Sequence, residues 1–178
     1  MKKELGVHPY LFPMPVLMIA TYGDDDTVDV MNIAWGGICA ENMVSLNIDE
    51  GHKTSENIKK RGAFTLSIAD IPHIEAADFF GIASGNKMAN KFERSGLTAV
   101  KSEKVDAPIV QEFPLTLECK VVEDKMEVYG HHVIGEIVGV LADESVLDEK
   151  DKVDVTKLNA FVFDQFRNGY YAIGEKVG

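Results

Sequence analysis

The sequence predicts a mainly β protein, a small β-barrel with peripheral helices. Three observations support this fold class. Apolar and polar residues alternate in several runs, as in Met43–Ile48, which is the pattern of a half-buried strand. The turn-prone residues 23–26 separate two apolar, β-rich runs, which favours a hairpin. The segments with helical signals are short, so we expect them as insertions between sequential, antiparallel strands.

The predicted strands follow one another along most of the chain. They cover Met14–Tyr22, Val28–Trp35, Met43–Ile48, Ala63–Ala69, Leu115–Val122 and Val128–Leu141. In the third of these, alternation places Val44, Leu46 and Ile48 on the buried face, so Asn47 falls on the polar face. In the last strand, Gly135 and Gly139 are interpreted as bends or bulges.

Two helices are predicted between these strands. The first has Thr54 as its N-cap and ends at Gly62. The second starts at Pro72 and presents an apolar face to the core. The residues expected on that face are Ile74, Ala77 and Phe80. The acidic stretch 143–154 is expected to be a surface loop.

Composition predicts a single domain spanning residues 1–178 and excludes several partners. The net charge of -11 would repel a nucleic-acid backbone, and no basic stripe offsets it. No apolar run reaches the roughly 18–20 residues that cross a bilayer. Neither Cys39 nor Cys119 has a CxxC partner, and we interpret both as buried, reduced thiols. These features predict a cytoplasmic protein.

The start of the first helix is a candidate phosphate site. A helix start presents free N–H groups and a partial positive charge, which attract phosphate. Lys53 adds a full charge there, and Thr54 and Asn57 add hydrogen-bonding side chains within one turn. The alternative is that Thr54 only caps the helix while Lys53 is solvated.

The segment Asn32–Gly37 is a candidate surface for an aromatic ring. It contains the only tryptophan, Trp35, followed by two glycines that permit close backbone approach. Asn47 can read the polar edge of a ring or hydrogen-bond within a turn, and Trp35 can instead anchor the core. With the helix start, this segment suits a ligand that is aromatic at one end and carries a phosphate at the other.

Other candidate residues carry weaker signals. His131 and His132 point to opposite faces of a strand and do not suit one metal ion, so no metal site is predicted. A histidine near the ligand or on the surface is the preferred interpretation. Lys87 and Lys91 can share a helical face, towards a ligand or solvent. The chain lacks a GxGxxG, a P-loop and a G-x-S-x-G motif, which argues against a Rossmann domain and hydrolytic chemistry.

An ordered series of short motifs resembles a known family. The series consists of residues 32–37, 52–58, 84–85, 90–97, 107–109, 117–121 and 130–137. It resembles the flavin reductase-like, FMN-binding split-barrel proteins, and within them the flavoredoxin-type branch, over roughly residues 10 to 142. Asn90 stands where the family pattern has an acidic residue, and the segment after residue 142 matches less well.

The resemblance implies a split β-barrel that dimerises and holds FMN near the subunit interface. By that resemblance the isoalloxazine ring lies against residues 32–35 and the strand end at 47–48, and the phosphate or ribityl chain lies at the helix start. The residues expected to contact the cofactor are Asn32, Ile33, Ala34, Trp35, Asn47, Ile48, Lys53, Thr54, Asn57 and Lys91. No catalytic residue is assigned.

The function expected from the resemblance is that of an NAD(P)H-dependent oxidoreductase that passes electrons through FMN to a flavin or another acceptor. Hydride transfer needs positioning more than acid–base side chains, which agrees with the absence of a catalytic motif. The alternative is a flavoredoxin-like electron carrier that uses no nicotinamide and whose acidic surface docks a protein redox partner. A third possibility is a ligand-binding barrel without redox activity.

Overall fold

The computed structural model describes residues 1–178 and contains one curled, seven-stranded antiparallel sheet that forms a half-barrel. The strands are β1 (Leu17–Tyr22), β2 (Val28–Ile33), β3 (Gly36–Ala40), β4 (Met43–Ile48), β5 (Ala63–Ile68), β6 (Ala99–Lys101), β7 (Pro108–Val110), β8 (Leu115–Glu127), β9 (Gly130–Ala142), β10 (Phe161–Asp164) and β11 (Gly169–Ala172). The large sheet has the order β2-β1-β5-β8-β9-β4-β3, and β6–β7 and β10–β11 form two small hairpins. The predicted mainly β class is therefore confirmed.

Four short helices lie around the sheet. They are α1 (Lys53–Arg61), α2 (Ile74–Ile82), α3 (Lys91–Arg94) and α4 (Val155–Leu158), with 3-10 turns at Ile71–His73 and Glu144–Val146. Gly62 ends α1 at φ 64, a left-handed conformation that glycine adopts without strain. None of these helices is both long and apolar enough to cross a membrane.

Two apolar cores lie on opposite faces of the sheet. Inside the half-barrel, Ile19, Leu46 and Phe64 are fully buried, and Ile58 of α1 belongs to the same core. On the outer face, α2 packs Phe80 and its neighbours against β1 and β2. Because the sheet is covered on both faces near β1 and β2, that part of the molecule is a firm platform for a site.

The predicted strands agree with the structure in their central parts and differ at their ends. The first begins only at Leu17, because Pro13 and Pro15 cannot donate to a ladder. The second ends at Ile33, and the glycines predicted to loosen its end instead begin β3. The hairpin β6–β7 was not predicted, and β8 continues through five further residues to Glu127.

Close packing explains the glycines of β9. A Cβ at Gly135 would lie 2.6 Å from Cζ of Phe64, so only glycine fits against that buried ring. Gly139 stands beside a register shift between β8 and β9, where Glu118 approaches its Cα closely. The predicted interpretation as bends or bulges is confirmed at both glycines, because a second register shift lies beside Gly135, where Val121 is its partner.

One sequence-based assignment was wrong about burial. Cys39 is exposed on β3, an edge strand, whereas Cys119 is buried as predicted. Burial raises the pKa of the Cys119 thiol to about 12, so this side chain stays protonated and inert. Of the two histidines, His131 is fully buried against Ser55 of α1, and His132 is partly exposed.

Candidate functional site

The first turn of α1 is fixed to β1 and β2 by buried side chains. Thr54 Oγ1 donates to Oδ2 of Asp29 at 2.6 Å, and Asn57 Nδ2 donates to Oγ1 of Thr21 at 3.0 Å. All four residues are at least nine-tenths buried. The predicted capping role of Thr54 was wrong: His52 occupies the N-cap position and makes no capping side-chain bond. Thr54 is used for a tertiary contact, which leaves the N–H groups of the helix start without a side-chain cap.

A third contact ties α1 to β8 and β9. Ser55 Oγ lies 2.6 Å from Nδ1 of His131, and Nε2 of the same ring lies 2.7 Å from Oδ1 of Asp124. Ser55 and His131 have no solvent exposure. A buried serine without access cannot act as a nucleophile, so this Ser-His-Asp arrangement holds the helix start in place.

A cavity of about 400 Å³ opens beside this helix start, and we name it the lysine cavity. Its lining includes the side chains of Asp29, Lys53, Asn57, Met88 and Lys91 and the backbone of Gly85. Gly85 has to be glycine, because a Cβ there would collide with the Asp29 carboxylate. The loop that carries Gly85 is held to the preceding loop by the Asn86 side chain, which donates to the Gly51 carbonyl at 2.7 Å.

Lys91 is a buried cation on the wall of the lysine cavity. The residue is 3% exposed, and its ammonium lies 3.8 Å from Oδ1 of Asp29 and 5.8 Å from the centre of the Phe80 ring. Burial lowers the pKa of Lys91, and the Asp29 carboxylate opposes that shift only in part. An incompletely compensated ammonium in a cavity favours an anionic ligand.

The remaining charges of the lysine cavity are largely engaged elsewhere. Asp24 pairs with Lys60 at 2.7 Å on the solvent side, and Asp25 accepts hydrogen bonds from Thr27. Nζ of Lys53 lies 3.1 Å from Oε2 of Glu56. This ion pair is partly exposed to solvent, so an anionic ligand can replace Glu56 as the partner of Lys53. Two ammonium groups, one buried and one at the rim, therefore face the same space.

Four buried oxygen atoms at the lysine cavity and near Trp35 lack a hydrogen-bond partner. They are Oδ1 of Asp29, Oδ1 of Asn57, Oδ1 of Asn47 and Oε1 of Gln165. Unpartnered buried oxygens are rare and costly in folded proteins, so each marks a place where a ligand or water donates a hydrogen bond. The first two belong to residues of the lysine cavity, and the other two belong to residues of a cleft beside Trp35.

Trp35 stands between two clefts and is 48% exposed. Its carbonyl accepts a hydrogen bond of 2.9 Å from the Asn47 backbone, which joins the two predicted ring-contacting segments. The first cleft, of about 600 Å³, has Asn47 and the N-terminal residues 9–11 on its walls, and we name it the Asn47 cleft. Gly36 permits the close packing of β3 against the Leu46 side chain of β4, because a Cβ at Gly36 would lie 2.9 Å from Cδ2 of Leu46.

The second cleft, of about 440 Å³, lies on the other side of Trp35, and we name it the Asn32 cleft. Asn32 forms one wall and donates to the Ala77 carbonyl at 3.1 Å. Tyr170 also lines this cleft, and its hydroxyl donates to Oδ1 of Asp78 at 2.9 Å. Burial and the Asp78 carboxylate raise the pKa of Tyr170 to about 12, so the phenol remains protonated at neutral pH.

The structure distributes the predicted site residues over these three spaces. Lys53, Asn57 and Lys91 line the lysine cavity, whereas Asn32, Ala34, Trp35 and Asn47 line the clefts. Thr54 stands behind the wall and holds Asp29 in place. Ile33 and Ile48 are 6% and 2% exposed, and their side chains belong to the barrel core, so only their backbone can face a ligand.

Some site residues were not predicted. Asp29 is the one acidic residue within the apolar strand β2, and that isolated polarity is a signal that could have identified it. Asp78 and Tyr170 are ninety-two positions apart in sequence and carry no local signal for their contact. The burial of Lys91 was also unforeseen, because lysines four residues apart usually share a solvated face.

Comparison with known proteins agrees with this architecture. The sequence profile of the flavin reductase like domain matches residues 10–168. The structure of flavoredoxin of Desulfovibrio vulgaris (Miyazaki F) is 36% identical, with a TM-score of 0.94 over 100% of this chain and 96% of that one. The chain belongs to the flavin reductase-like family.

Two further solved structures share the fold. A flavin reductase-type protein with a split barrel domain from Shewanella frigidimarina has a TM-score of 0.81 and 24% identity, over 93% of this chain and 84% of that one. An FMN-binding domain of a flavin reductases-like enzyme from Shewanella baltica has a TM-score of 0.79 and 20% identity, over 92% and 88%. The half-barrel is thus a split barrel, and the family places the protein in flavin-related redox chemistry.

Proposed function

We propose that the protein binds FMN and that its phosphate occupies the lysine cavity. The observation that carries this proposal is the convergence of Lys53 and Lys91 on one cavity beside the uncapped start of α1. A phosphate dianion there would gain two ammonium partners and the N–H groups of the helix start. The unpartnered Oδ1 of Asn57 suits a hydroxyl donor of the ribityl chain.

The isoalloxazine ring is proposed to lie against residues 32–35, with Asn47 at its polar edge. A flavin ring carries an N–H donor between two carbonyl groups, and the buried Oδ1 of Asn47 lacks such a donor. The half-exposed indole of Trp35 offers a flat, accessible surface, and the space beside Gly37 is open. The residues present therefore fit the cofactor at its ring, its chain and its phosphate.

The proposed activity is that of an NADH- or NADPH-dependent oxidoreductase. When bound, the flavin supplies the two-electron chemistry. The protein orients the reacting partners and limits water access, and its open clefts beside Trp35 admit a nicotinamide or an acceptor. No side chain is assigned to proton transfer, because hydride transfer requires none and His131 is fully buried against α1.

The absorption spectrum of freshly purified protein tests cofactor binding, and an anaerobic titration tests the electron donor. We expect a yellow protein whose visible flavin band bleaches within seconds of adding NADH or NADPH. A colourless protein that does not retain added FMN would contradict the cofactor assignment and favour a barrel that binds another ligand.

A second candidate function is that of an electron carrier that exchanges electrons with a protein partner. The likeness to a flavoredoxin over the whole chain and the net charge of -11 favour this candidate. An acidic surface steers a basic redox protein towards it. Persistence of the flavin band in the presence of both nicotinamides would support the carrier over the reductase.

The working form is proposed to be a cytoplasmic homodimer. Ile38 on the edge strand β3 is 67% exposed beside Trp35, and a second copy would cover this apolar edge. Light scattering of the FMN-loaded protein tests the dimer, and a monomer that retains FMN would contradict an interface site.

A further inference from the structure

The Asn32 cleft carries a charge that the proposed cofactor contacts do not use. Asp78 is the only charged side chain among the residues that line this cleft. It projects from α2, and its carboxylate is held by the hydroxyl of Tyr170 from β11. One carboxylate oxygen thus accepts the phenol, and the other stays available to a ligand.

The hairpin β10–β11 fixes this pair relative to the barrel. Phe163 forms a bridge with Met14, with backbone hydrogen bonds of 2.9 and 3.3 Å, immediately before β1. Tyr170 also packs on Phe161 and Phe163, with ring centres 5.2 and 5.8 Å apart. The C-terminal segment, whose role the sequence left open, therefore builds one wall of the cleft.

The other walls of the Asn32 cleft suit a planar ring. Trp35 is 48% exposed on one side, and Ala34 and Ile82 add apolar surface. Aromatic rings stack on such a surface, and a cation gains further from an indole face. A carboxylate on the rim attracts a positive ring or an N–H donor and repels an anion.

We propose that the Asn32 cleft admits the redox partner ring of the flavin and that Asp78 selects neutral or cationic aromatic rings over anionic ones. This inference rests on the proposed function in one respect, namely that a donor or acceptor ring approaches the flavin beside Trp35. It adds a substrate class and a selecting residue to that site.

Three ring probes of similar size and different charge test the proposal. They are 1-methylnicotinamide, which is a cation, nicotinamide, which is neutral, and nicotinate, which is an anion. Binding is measured by calorimetry on the FMN-saturated protein. We expect saturable binding of the cation and the neutral ring, with nicotinate weakest. Failure of 1-methylnicotinamide to bind saturably would overturn the proposal.

The variant Asp78→Asn removes the charge and keeps an acceptor for Tyr170. We expect it to reduce the ratio of cation to anion affinity roughly fivefold, the size of a partly exposed ion pair. Glu75→Gln removes an equal charge one turn earlier on α2, where Glu75 is exposed, and should leave the ratio unchanged. Equal effects of the two variants would show non-specific electrostatics and would contradict the proposal.

A second variant keeps the proposal testable if Asp78→Asn does not fold. Tyr170→Phe keeps the Asp78 carboxylate, so the preference for the cation should persist, and its loss would overturn the selecting role of that charge. FMN retention is measured on the same samples. Loss of FMN from the parent protein contradicts the proposed function. If the parent retains FMN but binds the three probes equally well, only this inference is contradicted.

Discussion

The lysine cavity and the two clefts beside Trp35 are built in opposite ways. The lysine cavity is formed by buried polar groups, with Asp29, Asn57 and Lys91 between 1% and 7% exposed and each tied to another element or left short of a partner. The clefts are formed by more accessible groups, among them Trp35, which is 48% exposed, and the half-buried residues Asn47, Asp78 and Tyr170. Under the proposed function, this difference separates affinity from reactivity: the lysine cavity would bind the phosphate, and the clefts would leave room for the reacting ring.

The largest effect is expected from removing the buried carboxylate of the lysine cavity. Asp29→Ala leaves the Lys91 ammonium buried without a counter-charge and the Thr54 hydroxyl without its acceptor. We expect the free energy of unfolding to fall by about 3 kcal/mol, measured by urea denaturation. Asp24→Ala, at an exposed carboxylate, should change it by less than about 0.5 kcal/mol. Equal losses of unfolding free energy in both variants would show that the buried contacts of Asp29 stabilise the fold no more than an exposed carboxylate does.

The next effect separates ligand affinity from stability. Lys53→Ala removes a rim cation whose pair with Glu56 is partly solvated, so the fold should tolerate the change. FMN affinity should fall by about 1.5–3 kcal/mol, the contribution of one charge-assisted hydrogen bond. Fluorescence titration of FMN measures this, with Lys59→Ala on the same helix as a control. Unchanged FMN affinity in Lys53→Ala would contradict the phosphate assignment.

A pH dependence follows from the burial of Lys91. Its pKa is lowered from 10.5, so the ammonium loses its proton at a lower pH than an exposed lysine does. Because the charged form is the one that attracts phosphate, FMN affinity should decrease as pH rises through that lowered value. Lys91→Met should bind FMN more weakly, and its FMN affinity should no longer decrease over that pH range. The same decrease at alkaline pH in the variant would mean that another group causes it.

The smallest effect is expected on the open side of the molecule. Trp35→Phe keeps an aromatic surface at a half-exposed position, so the free energy of unfolding should change by less than about 1 kcal/mol. FMN affinity should fall less than in Lys53→Ala, because the phosphate contacts are kept, while the binding of ring probes weakens. A loss of stability comparable to that of Asp29→Ala would mean that Trp35 anchors the core, and the contrast between the two regions would fail.

The sequence predicted the strands and the first helix well where one signal dominates locally. Alternation in Met43–Ile48 gave both the bounds of β4 and its buried face, and Gly62 marked the end of α1. It was less informative where the outcome depends on distant partners. Thr54 has an ideal local role as a cap, yet it bonds Asp29 from another element, because a buried carboxylate needs donors more than an exposed helix start does.

The same limit applies to the site. Lys53, Asn57 and Lys91 were expected near one ligand, and the structure brings them to one cavity. The pairing of Asp78 with Tyr170 could not be predicted, since it depends on where a C-terminal hairpin docks. Local motifs specify which residue types are available, and the tertiary packing decides which of them become buried and unpaired.

The most direct test of this account compares FMN with riboflavin, which has the same ring and lacks the phosphate, in the parent protein and in Lys53→Ala. We predict that the parent binds FMN at least about tenfold more tightly than riboflavin and that this ratio shrinks in the variant, because the lysine cavity recognises the phosphate. Equal affinity of the parent for both flavins would contradict the central claim.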